Sequence, residues 1–273
     1  MEELAHAKVN LSLCVLGGRQ DGFHEIETLM SAITLHDSLQ IAPATEFEFE
    51  CDEPAVSGDD NLVVRAARAF FAASNREPKV RLSLHKKIPH GAGLGGGSSD
   101  AAATLRGLNR FFDAGLSEKM LNMVAAKLGS DVPFFLKEKA ARCSGRGEIV
   151  TPEPSPAPLT LLLLKPEFGV ASAWAYSRWQ ATRQLAGTIY EAQEFAGMTF
   201  VNDLERPVFE KFVFLAQMKS WLCHQTEVDA ALMSGSGSTI FAVLRSAADA
   251  GVVAARAKSE LDPGLWTCVC QTL

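Results

Sequence analysis

Five glycines fall within seven consecutive positions of residues 89–100, which read PHGAGLGGGSSD. They lead into residues 101–108, where alanine, leucine and arginine favour a helix. The unpaired amides and the dipole of a helix N-terminus attract anions such as phosphate. The segment therefore predicts a loop that holds a triphosphate, and the alternative is a flexible turn capped by Ser98 or Ser99.

Other nucleotide-binding patterns fit this segment poorly. Gly91, Gly93 and Gly96 match G-x-G-x-x-G, but five residues separate the glycines from the preceding strand pattern, and no strand follows about twenty residues on. The P-loop requires a lysine that this loop lacks, and the H-R-D, D-F-G and A-P-E elements of protein kinases are absent. A triphosphate loop of another kind is indicated.

The first strand pattern brings two polar side chains to one face. Apolar residues at positions 5, 7, 9, 11 and 13 alternate with polar ones, which is typical of a half-buried strand. Lys8 and Asn10 then share the other face, roughly 6.6 Å apart along the strand. They could contact the same substrate.

Three further segments place reactive or aromatic residues beside predicted turns. Phe23 and His24 follow an Asp-Gly step that suits a hairpin turn with positive φ. Asp131 follows a predicted helix over 118–128, with Ser117 as its N-cap and Gly129 as its stop; Asp131 itself could be only a helix N-cap. The loop from Gly235 to Ser238 could donate amides to phosphate or be a plain hairpin loop.

Composition limits the classes of protein that remain. The 273 residues carry a net charge of −6 with 47% hydrophobic residues, which excludes a disordered chain and disfavours a nucleic-acid partner. The longest apolar run, 159–164, is too short to cross a bilayer, and no secretory signal precedes the first strand, so we expect no membrane association and a cytoplasmic protein. Six scattered cysteines form no CxxC pair and predict buried or idle thiols.

Mixed helix and strand patterns predict the α+β class. Further helices are expected over 61–73 and 247–261, and further strands over 80–84, 159–164 and 239–244. Four prolines between positions 152 and 158 disfavour regular structure and predict a boundary between domains 1–153 and 154–273.

The glycine segment resembles the ATP loop of the GHMP kinase superfamily, which includes galactokinase, homoserine kinase and mevalonate kinase. Three other segments resemble motifs of the same superfamily, in order along almost the whole chain: AKVNL with GRQDGFH at 7–11 and 18–24, LGSDVPF at 128–134, and MSGSGS at 233–238. The resemblance implies a two-domain fold, with an N-terminal domain like domain 2 of ribosomal protein S5 and a ferredoxin-like C-terminal domain. The active site is expected between them.

The resemblance also implies an ATP- and Mg²⁺-dependent kinase that phosphorylates the 2-hydroxyl of a cytidine diphosphate methylerythritol, in non-mevalonate isoprenoid synthesis. Asp131 would orient or deprotonate the acceptor hydroxyl, and Lys8 would pair with it and neutralise charge on the transferred group. The implied ATP-binding residues are Asn61, Leu62, Pro89, Gly91, Gly93, Leu94, Gly95, Gly96, Gly97, Ser98 and Ser99. The implied substrate-binding residues are Asn10, Phe23, His24, Asp131, Gly235 and Ser236.

Less specific expectations concern the metal and the second domain. Mg²⁺ is expected near Ser98, Ser99 and the phosphates, held mostly by water, and no protein residue is assigned as a metal ligand; Asp100, in the first helical turn, would repel phosphate unless the metal intervenes. Trp174, Tyr176 and Trp179 are expected near the cytidine, with core packing as the alternative.

Two other functions remain open from the sequence. The acceptor could be mevalonate, homoserine or a sugar, although the GRQDGFH segment disfavours this. The chain could also be a non-catalytic nucleotide- or RNA-binding module, which Lys8, Asp131 and the negative charge disfavour. The partner is expected to be a small molecule rather than nucleic acid, and the protein a monomer or weak homodimer.

Overall fold

The structure, a computed structural model, describes residues 1–137, 139–154 and 157–273. The strands are β1 Glu2–Gly18, β2 His24–Pro43, β3 Glu48–Cys51, β4 Val80–His85, β5 Ala141–Ser144, β6 Ile149–Pro152, β7 Thr160–Lys165, β8 Gln193–Phe195, β9 Met198–Asn202, β10 Val228–Met233, β11 Ile240–Leu244 and β12 Trp266–Gln271. The α-helices are α1 Leu62–Ser74, α2 Gly96–Phe111, α3 Glu118–Leu128, α4 Val132–Phe135, α5 Ser172–Ser177, α6 Glu205–Lys211, α7 Val213–Cys223 and α8 Ala250–Glu260.

Two sheets pack against each other, and helices cover their outer faces. The first sheet has the order β3-β4-β2-β1-β9-β8, with the β5–β6 hairpin attached to β2, and the second has the order β10-β11-β7-β12. Helices α1–α4 bury apolar side chains against the first sheet, and α6–α8 do so against the second. A third apolar cluster fills the space between the sheets, with Val9 and Leu11 from β1 and Leu161 and Leu163 from β7. The mixed helix and strand content agrees with the predicted α+β class.

The predicted first strand is confirmed, but the expectation that it is half-buried is wrong in its centre. Lys8 and Asn10 are only 4% and 3% exposed. Their face of β1 lies beneath the glycine segment, since the ammonium of Lys8 donates to the Gly93 carbonyl at 2.8 Å. A strand covered on both faces buries its polar positions as well as its apolar ones.

Two of the predicted helices, at 61–73 and 118–128, match α1 and α3 closely. Asn61 caps α1 by accepting from the Val63 amide at 2.8 Å, and Ser117 caps α3 by accepting from the Met120 amide at 3.3 Å. The predicted cap of α2 is wrong, because that helix begins three residues before Ser99. Gly95 is its N-cap with φ +72° and no capping side chain, so both serines lie in the first turn. Glycine suits this N-cap because it adopts a positive φ without steric strain.

The second half of the chain contributes to the first sheet. Strand β9 pairs in parallel with β1, with Ser12 opposite Val201 and Leu13 opposite Asn202. Part of the proline-rich linker, residues 155 and 156, lies outside the described residues. The boundary between residues 153 and 154 stays a prediction. Among the described residues, no helix combines the length and hydropathy needed to cross a bilayer.

A fully buried ion pair joins α6 to α7 beneath the second sheet. The Lys219 ammonium lies 2.6 Å from the Glu205 carboxylate, and each side chain is 1% exposed. The other oxygen of Glu205 accepts from the amide of Met233 at the end of β10 at 3.0 Å. Removing one partner of such a pair leaves an uncompensated buried charge.

Lys219→Met is expected to lower the free energy of unfolding by about 3–5 kcal/mol, because the Glu205 carboxylate loses its buried counter-charge. Arg245→Met is the matched control: Arg245 is 61% exposed and lies 2.7 Å from Asp229, so its loss should cost less than about 1 kcal/mol. Urea unfolding followed by circular dichroism measures both values. Equal losses in the two variants would contradict this account of the buried pair.

Candidate active site

A cavity of about 1090 Å³ opens between the glycine segment, the β1–β2 hairpin and the loops of the second sheet. Small-molecule pockets usually measure about 300–1,000 Å³, so this one has room for more than one small ligand. Every site residue predicted from the sequence lines it except Ser99. The cavity-lining residues among those predictions are Lys8, Asn10, Phe23, His24, Asn61, Leu62, Pro89, Gly91, Gly93, Leu94, Gly95, Gly96, Gly97, Ser98, Asp131, Gly235 and Ser236.

The glycine segment is a tightly held loop rather than a flexible linker. Gly91, Gly93 and Gly95 all have positive φ, at +64°, +75° and +72°. A Cβ at Gly93 would lie 2.2 Å from the carbonyl oxygen of Ser234, in the loop that follows β10. Only glycine fits a backbone approach this close, with φ in this region. The loop therefore presents its backbone to the cavity in a fixed conformation.

The start of α2 gives the cavity wall its anion-binding character. The first amides of a helix have no partner within the helix, and they carry partial positive charge. Ser98 lines the cavity here, whereas Ser99 is completely buried, and its hydroxyl has no hydrogen-bond partner. Successive helical residues point about 100° apart, and here Ser98 faces the cavity while Ser99 points into the interior. The structure thus brings Ser98 to the site and leaves Ser99 behind it.

Lys8 lies at the centre of the cavity wall with most of its hydrogen bonds already made. Its ammonium donates to Asn10 Oδ1 at 2.6 Å and to the Gly93 carbonyl at 2.8 Å. An ammonium has three hydrogens, so one remains, and Asp131 Oδ2 lies 3.9 Å away. Burial lowers the pKa of Lys8, and the nearby Asp131 carboxylate opposes this shift.

Asn10 is itself held in one orientation. Its Nδ2 donates to Thr28 Oγ1 at 2.8 Å, and that hydroxyl donates to the Ser12 carbonyl at 2.5 Å. The amide oxygen of Asn10 must therefore point at Lys8. This chain of hydrogen bonds explains how β1 and β2 fix the position of the ammonium group.

Asp131 follows α3 and immediately precedes α4, with its side chain 35% exposed. The residue occupies the N-cap position of α4, but its side chain makes no capping hydrogen bond. The helix-cap interpretation therefore does not account for the carboxylate. Its remaining contacts point to the cavity, which it lines next to Ser130.

The opposite end of the cavity is aromatic. The His24 ring lies 5.5 Å from that of Tyr176 and 6.0 Å from that of Trp179. The guanidinium of Arg146 lies 4.8 Å from the centre of the Phe23 ring. Such surfaces suit a planar, uncharged base.

The expectation for the three aromatic residues of the second domain is only partly met. Tyr176 lines the cavity. Trp179 does not line it, but its ring packs against that of His24, which does. Trp174 is turned away, because its ring packs under the ammonium of Lys211 at 4.3 Å and against Phe212. Trp174 and Tyr176 are two residues apart on the short helix α5, so they point to different sides.

Sequence reasoning missed several residues that line the cavity. Arg146 lies between Gly145 and Gly147, both with positive φ, in the turn that joins β5 to β6. This Gly-Arg-Gly pattern is the signal that could have identified it. Ser172, whose hydroxyl lies 2.7 Å from that of Ser236, carried no comparable signal.

A buried cluster of three charges supports the glycine segment from behind. The Lys86 ammonium lies 2.5 Å from Asp37 and 2.6 Å from Asp100. Asp37 also accepts from the amides of Lys87 and Ile88, which precede the glycines. Burial raises the pKa of Asp100 to about 7, although the Lys86 ammonium opposes the shift. One oxygen of Asp100 has no hydrogen-bond partner.

The arrangement combines three elements of phosphoryl transfer. The glycine loop and the start of α2 offer amides to phosphate oxygens, Lys8 offers a positive charge, and Asp131 offers a carboxylate to a hydroxyl. In the described part of the chain, no three His, Cys, Asp or Glu side chains are grouped as a protein-held metal site requires. A metal ion bound here would take most of its oxygen ligands from the substrate phosphates and from water.

Family comparisons agree with this arrangement. Residues 61–139 match the family described as GHMP kinases N terminal domain, and residues 182–262 match GHMP kinases C terminal. Two mevalonate kinases, from L. major and Methanococcus jannaschii, superpose on the whole chain with TM-scores of 0.67 and 0.63 at 10% and 12% identity. These two distant structures share the fold, and the predicted two-domain GHMP kinase architecture is confirmed.

Other relatives are similar in sequence over almost their full length. The 4-diphosphocytidyl-2-C-methyl-D-erythritol kinase of Methylacidiphilum infernorum is 40% identical, with 97% of this chain and 94% of that protein aligned. The enzyme of the same name from Thermodesulfovibrio yellowstonii is 36% identical, covering 98% and 96%. A crystal structure of 4-(cytidine 5'-diphospho)-2C-methyl-D-erythritol kinase is 34% identical and superposes with a TM-score of 0.81 over 100% of this chain and 99% of its own. This chain belongs to the GHMP kinase family.

Proposed function

We propose that this chain transfers the γ-phosphoryl group of ATP to the 2-hydroxyl of 4-diphosphocytidyl-2-C-methyl-D-erythritol. One observation carries the proposal: Lys8 and Asp131 lie 3.9 Å apart in a cavity that has a phosphate-binding loop on one side and an aromatic pocket on the other. The names of the relatives at 36–40% identity support the same acceptor. Membership of the family implies ATP as the phosphoryl donor.

On the donor side, the glycine loop and the first turn of α2 bind the phosphates of ATP through backbone amides. Asn61 and Leu62, at the start of α1, line the same part of the cavity and would contact the adenine. The remaining hydrogen of the Lys8 ammonium is directed at the transferred group. Because this ammonium is fixed by Asn10 and Gly93 before any ligand arrives, it stabilises the developing charge without reorganisation.

On the acceptor side, Asp131 receives the hydroxyl that attacks phosphorus. Its carboxylate orients the hydroxyl, accepts its proton as the new bond forms, or does both. Proton transfer to a positioned carboxylate contributes about 10²–10⁴ in rate. The Lys8 ammonium, 3.9 Å away, attracts the Asp131 carboxylate and helps to hold it beside the acceptor hydroxyl.

At the aromatic end, Phe23 and Tyr176 provide faces for the cytosine ring, and His24 provides a polar edge. Arg146 lines this end of the cavity and provides positive charge for the diphosphate. An aromatic slot beside a cation suits a nucleoside diphosphate better than mevalonate or homoserine, which have no base.

Mg²⁺ is the expected metal for phosphoryl transfer, and the residues present fit it. Ser98 and Asp100 line the cavity at the phosphate loop, and Asp100 has an oxygen without a partner. Mg²⁺ prefers such oxygen ligands and usually keeps several waters beside the substrate phosphates. Bound Mg²⁺ would neutralise charge on the phosphate oxygens, including the repulsion from Asp100.

The first test measures ADP release with ATP, Mg²⁺ and the diphosphocytidyl substrate, alongside mevalonate and homoserine. Turnover is expected only with the diphosphocytidyl substrate. Asp131→Asn should lower kcat by about 10²–10⁴ because the hydroxyl loses its proton acceptor. Asp229→Asn, which removes a carboxylate on β10 that pairs with Arg245, should retain wild-type kcat.

Turnover with another acceptor would contradict the proposed substrate but would still support a kinase activity. Binding of ATP without turnover of any acceptor, together with affinity for RNA, would favour a non-catalytic nucleic-acid module.

The second test concerns Asp100 and pH. Above its pKa of about 7, Asp100 carries a negative charge that it lacks below this pKa, so the net charge of the cluster of Asp37, Lys86 and Asp100 falls by one. In the absence of Mg²⁺, which would offset the repulsion, the Kd of wild type for ATP should therefore rise between about pH 6 and about pH 8, relative to Asp100→Asn, because the added negative charge repels phosphate. Asp229→Asn should keep the wild-type profile. Parallel profiles in wild type and Asp100→Asn would exclude this role for Asp100.

A further inference from the structure

A buried asparagine holds the loop that follows β10 from its inner side. Asn202, at the end of β9, is 4% exposed and does not line the cavity. Its Nδ2 donates to the carbonyls of Met233 and Gly235, both at 2.7 Å, and its Oδ1 accepts from the Leu204 amide at 3.0 Å. Both amide hydrogens are therefore used, one on the last residue of β10 and one on the loop that follows it.

One of these carbonyls belongs to a residue that lies against Lys8. A Cβ placed on Gly235 would be 3.1 Å from Lys8 Nζ and 3.3 Å from Asn10 Oδ1. Gly235 also has φ +56°, a region that glycine enters and leaves at little cost. Because the Gly235 backbone lies against the ammonium group, its carbonyl could accept a hydrogen from Lys8 if the peptide were free to turn.

The end of β10 and the loop after it are held by further hydrogen bonds, one on the side of Asn202 and one on the opposite side. Glu205 accepts from the Met233 amide, and the buried pair with Lys219 holds that carboxylate in place. Across the loop, Ser234 Oγ donates to the Gly93 carbonyl at 3.0 Å. Gly93 is also an acceptor for Lys8, so the loop and the ammonium group share one anchoring carbonyl.

We propose that Asn202 is a positioning residue for phosphoryl transfer: by holding the Gly235 carbonyl, it keeps the third ammonium hydrogen of Lys8 free for the substrate. The inference rests on the proposed function, in which that hydrogen contacts the transferred group. Two hydrogens of Lys8 are used by Asn10 and Gly93. A reversed Gly235 peptide would take the third.

Asn202→Asp is the most direct variant, because it keeps the side-chain shape and replaces two donors by acceptors. Its carboxylate would face two carbonyls, so the Gly235 peptide should turn towards Lys8. Asn202→Ser is a second variant, whose hydroxyl is too short to bridge both carbonyls. Asn109→Asp is the matched control: Asn109 in α2 makes a similar pair of bonds to the backbone of Leu116 at 3.1 and 3.0 Å.

The kinetic test compares kcat and KM of folded variants, with the unfolding temperature of each measured in parallel. Both Asn202 variants should lower kcat by about tenfold or more, because the Lys8 hydrogen taken by Gly235 no longer contacts the transferred group in the transition state, while the KM for ATP changes by less than about threefold. Asn109→Asp should lower stability without this loss of kcat. A kcat within about twofold of wild type in the folded Asn202 variants, or an equal loss in Asn109→Asp, would overturn the proposal.

A crystal structure of an Asn202 variant gives a readout that does not depend on the acceptor. The Gly235 carbonyl is expected within hydrogen-bond distance of Lys8 Nζ, and an unchanged peptide would overturn the proposal. If wild type fails to phosphorylate the diphosphocytidyl substrate, the proposed function fails. The orientation of this peptide still decides whether Asn202 controls the hydrogen bonds of Lys8.

Discussion

The site depends on the contact between two glycine loops, which leaves no room for a side chain between them. Gly93 in the phosphate loop faces the carbonyls of Ser234 and Gly237 in the loop after β10, at distances that a Cβ could not tolerate. Backbone bonds add to the contact, since the Thr239 amide donates to the Ala92 carbonyl at 3.2 Å. Elements from the two halves of the chain thereby define one wall of one cavity.

The contact between the two loops also fixes the position of the Lys8 ammonium group. The Gly93 carbonyl that accepts from Ser234 also accepts from the ammonium group, so the loop contact and the position of the charge are coupled. Burial disfavours a charged lysine, and the surrounding carbonyl, amide and carboxylate oxygens compensate it. A preorganised charge in a dry wall is more effective towards a phosphoryl group than a solvated one.

Residues with local signals could be predicted from the sequence. Alternation placed Lys8 and Asn10 on one face, a capping serine and a terminal glycine located α3, and glycine density located the phosphate loop. The resemblance to a family brought Asp131 and the aromatic residues into the same site, which spacing alone does not. The sequence left Trp174 undecided between the cytidine and the core, because the short helix α5 has no periodic pattern long enough to assign its faces.

The remaining parts depend on contacts between residues far apart in the chain. Asp37 and Lys86 are joined across 49 residues, and Asn202 and Gly235 across 33. A buried polar side chain has no sequence signal that names its partner, so neither network could be predicted. Ser99 shows that short-range prediction is also limited, because a shift of the helix start by a few residues decides which serine faces the cavity.

The pairing of β9 with β1 has a consequence for how ligands enter. Since the first sheet includes strands from both halves of the chain, the halves cannot swing apart as rigid bodies without breaking backbone hydrogen bonds next to Asn202. Ligands must therefore reach the cavity past the segments at its rim, such as the β1–β2 connection, which contributes Gly22 and Phe23, and the turn that contains Arg146. The distance between the two halves is thus set by the shared sheet. Neither half can be excised without leaving an open sheet edge.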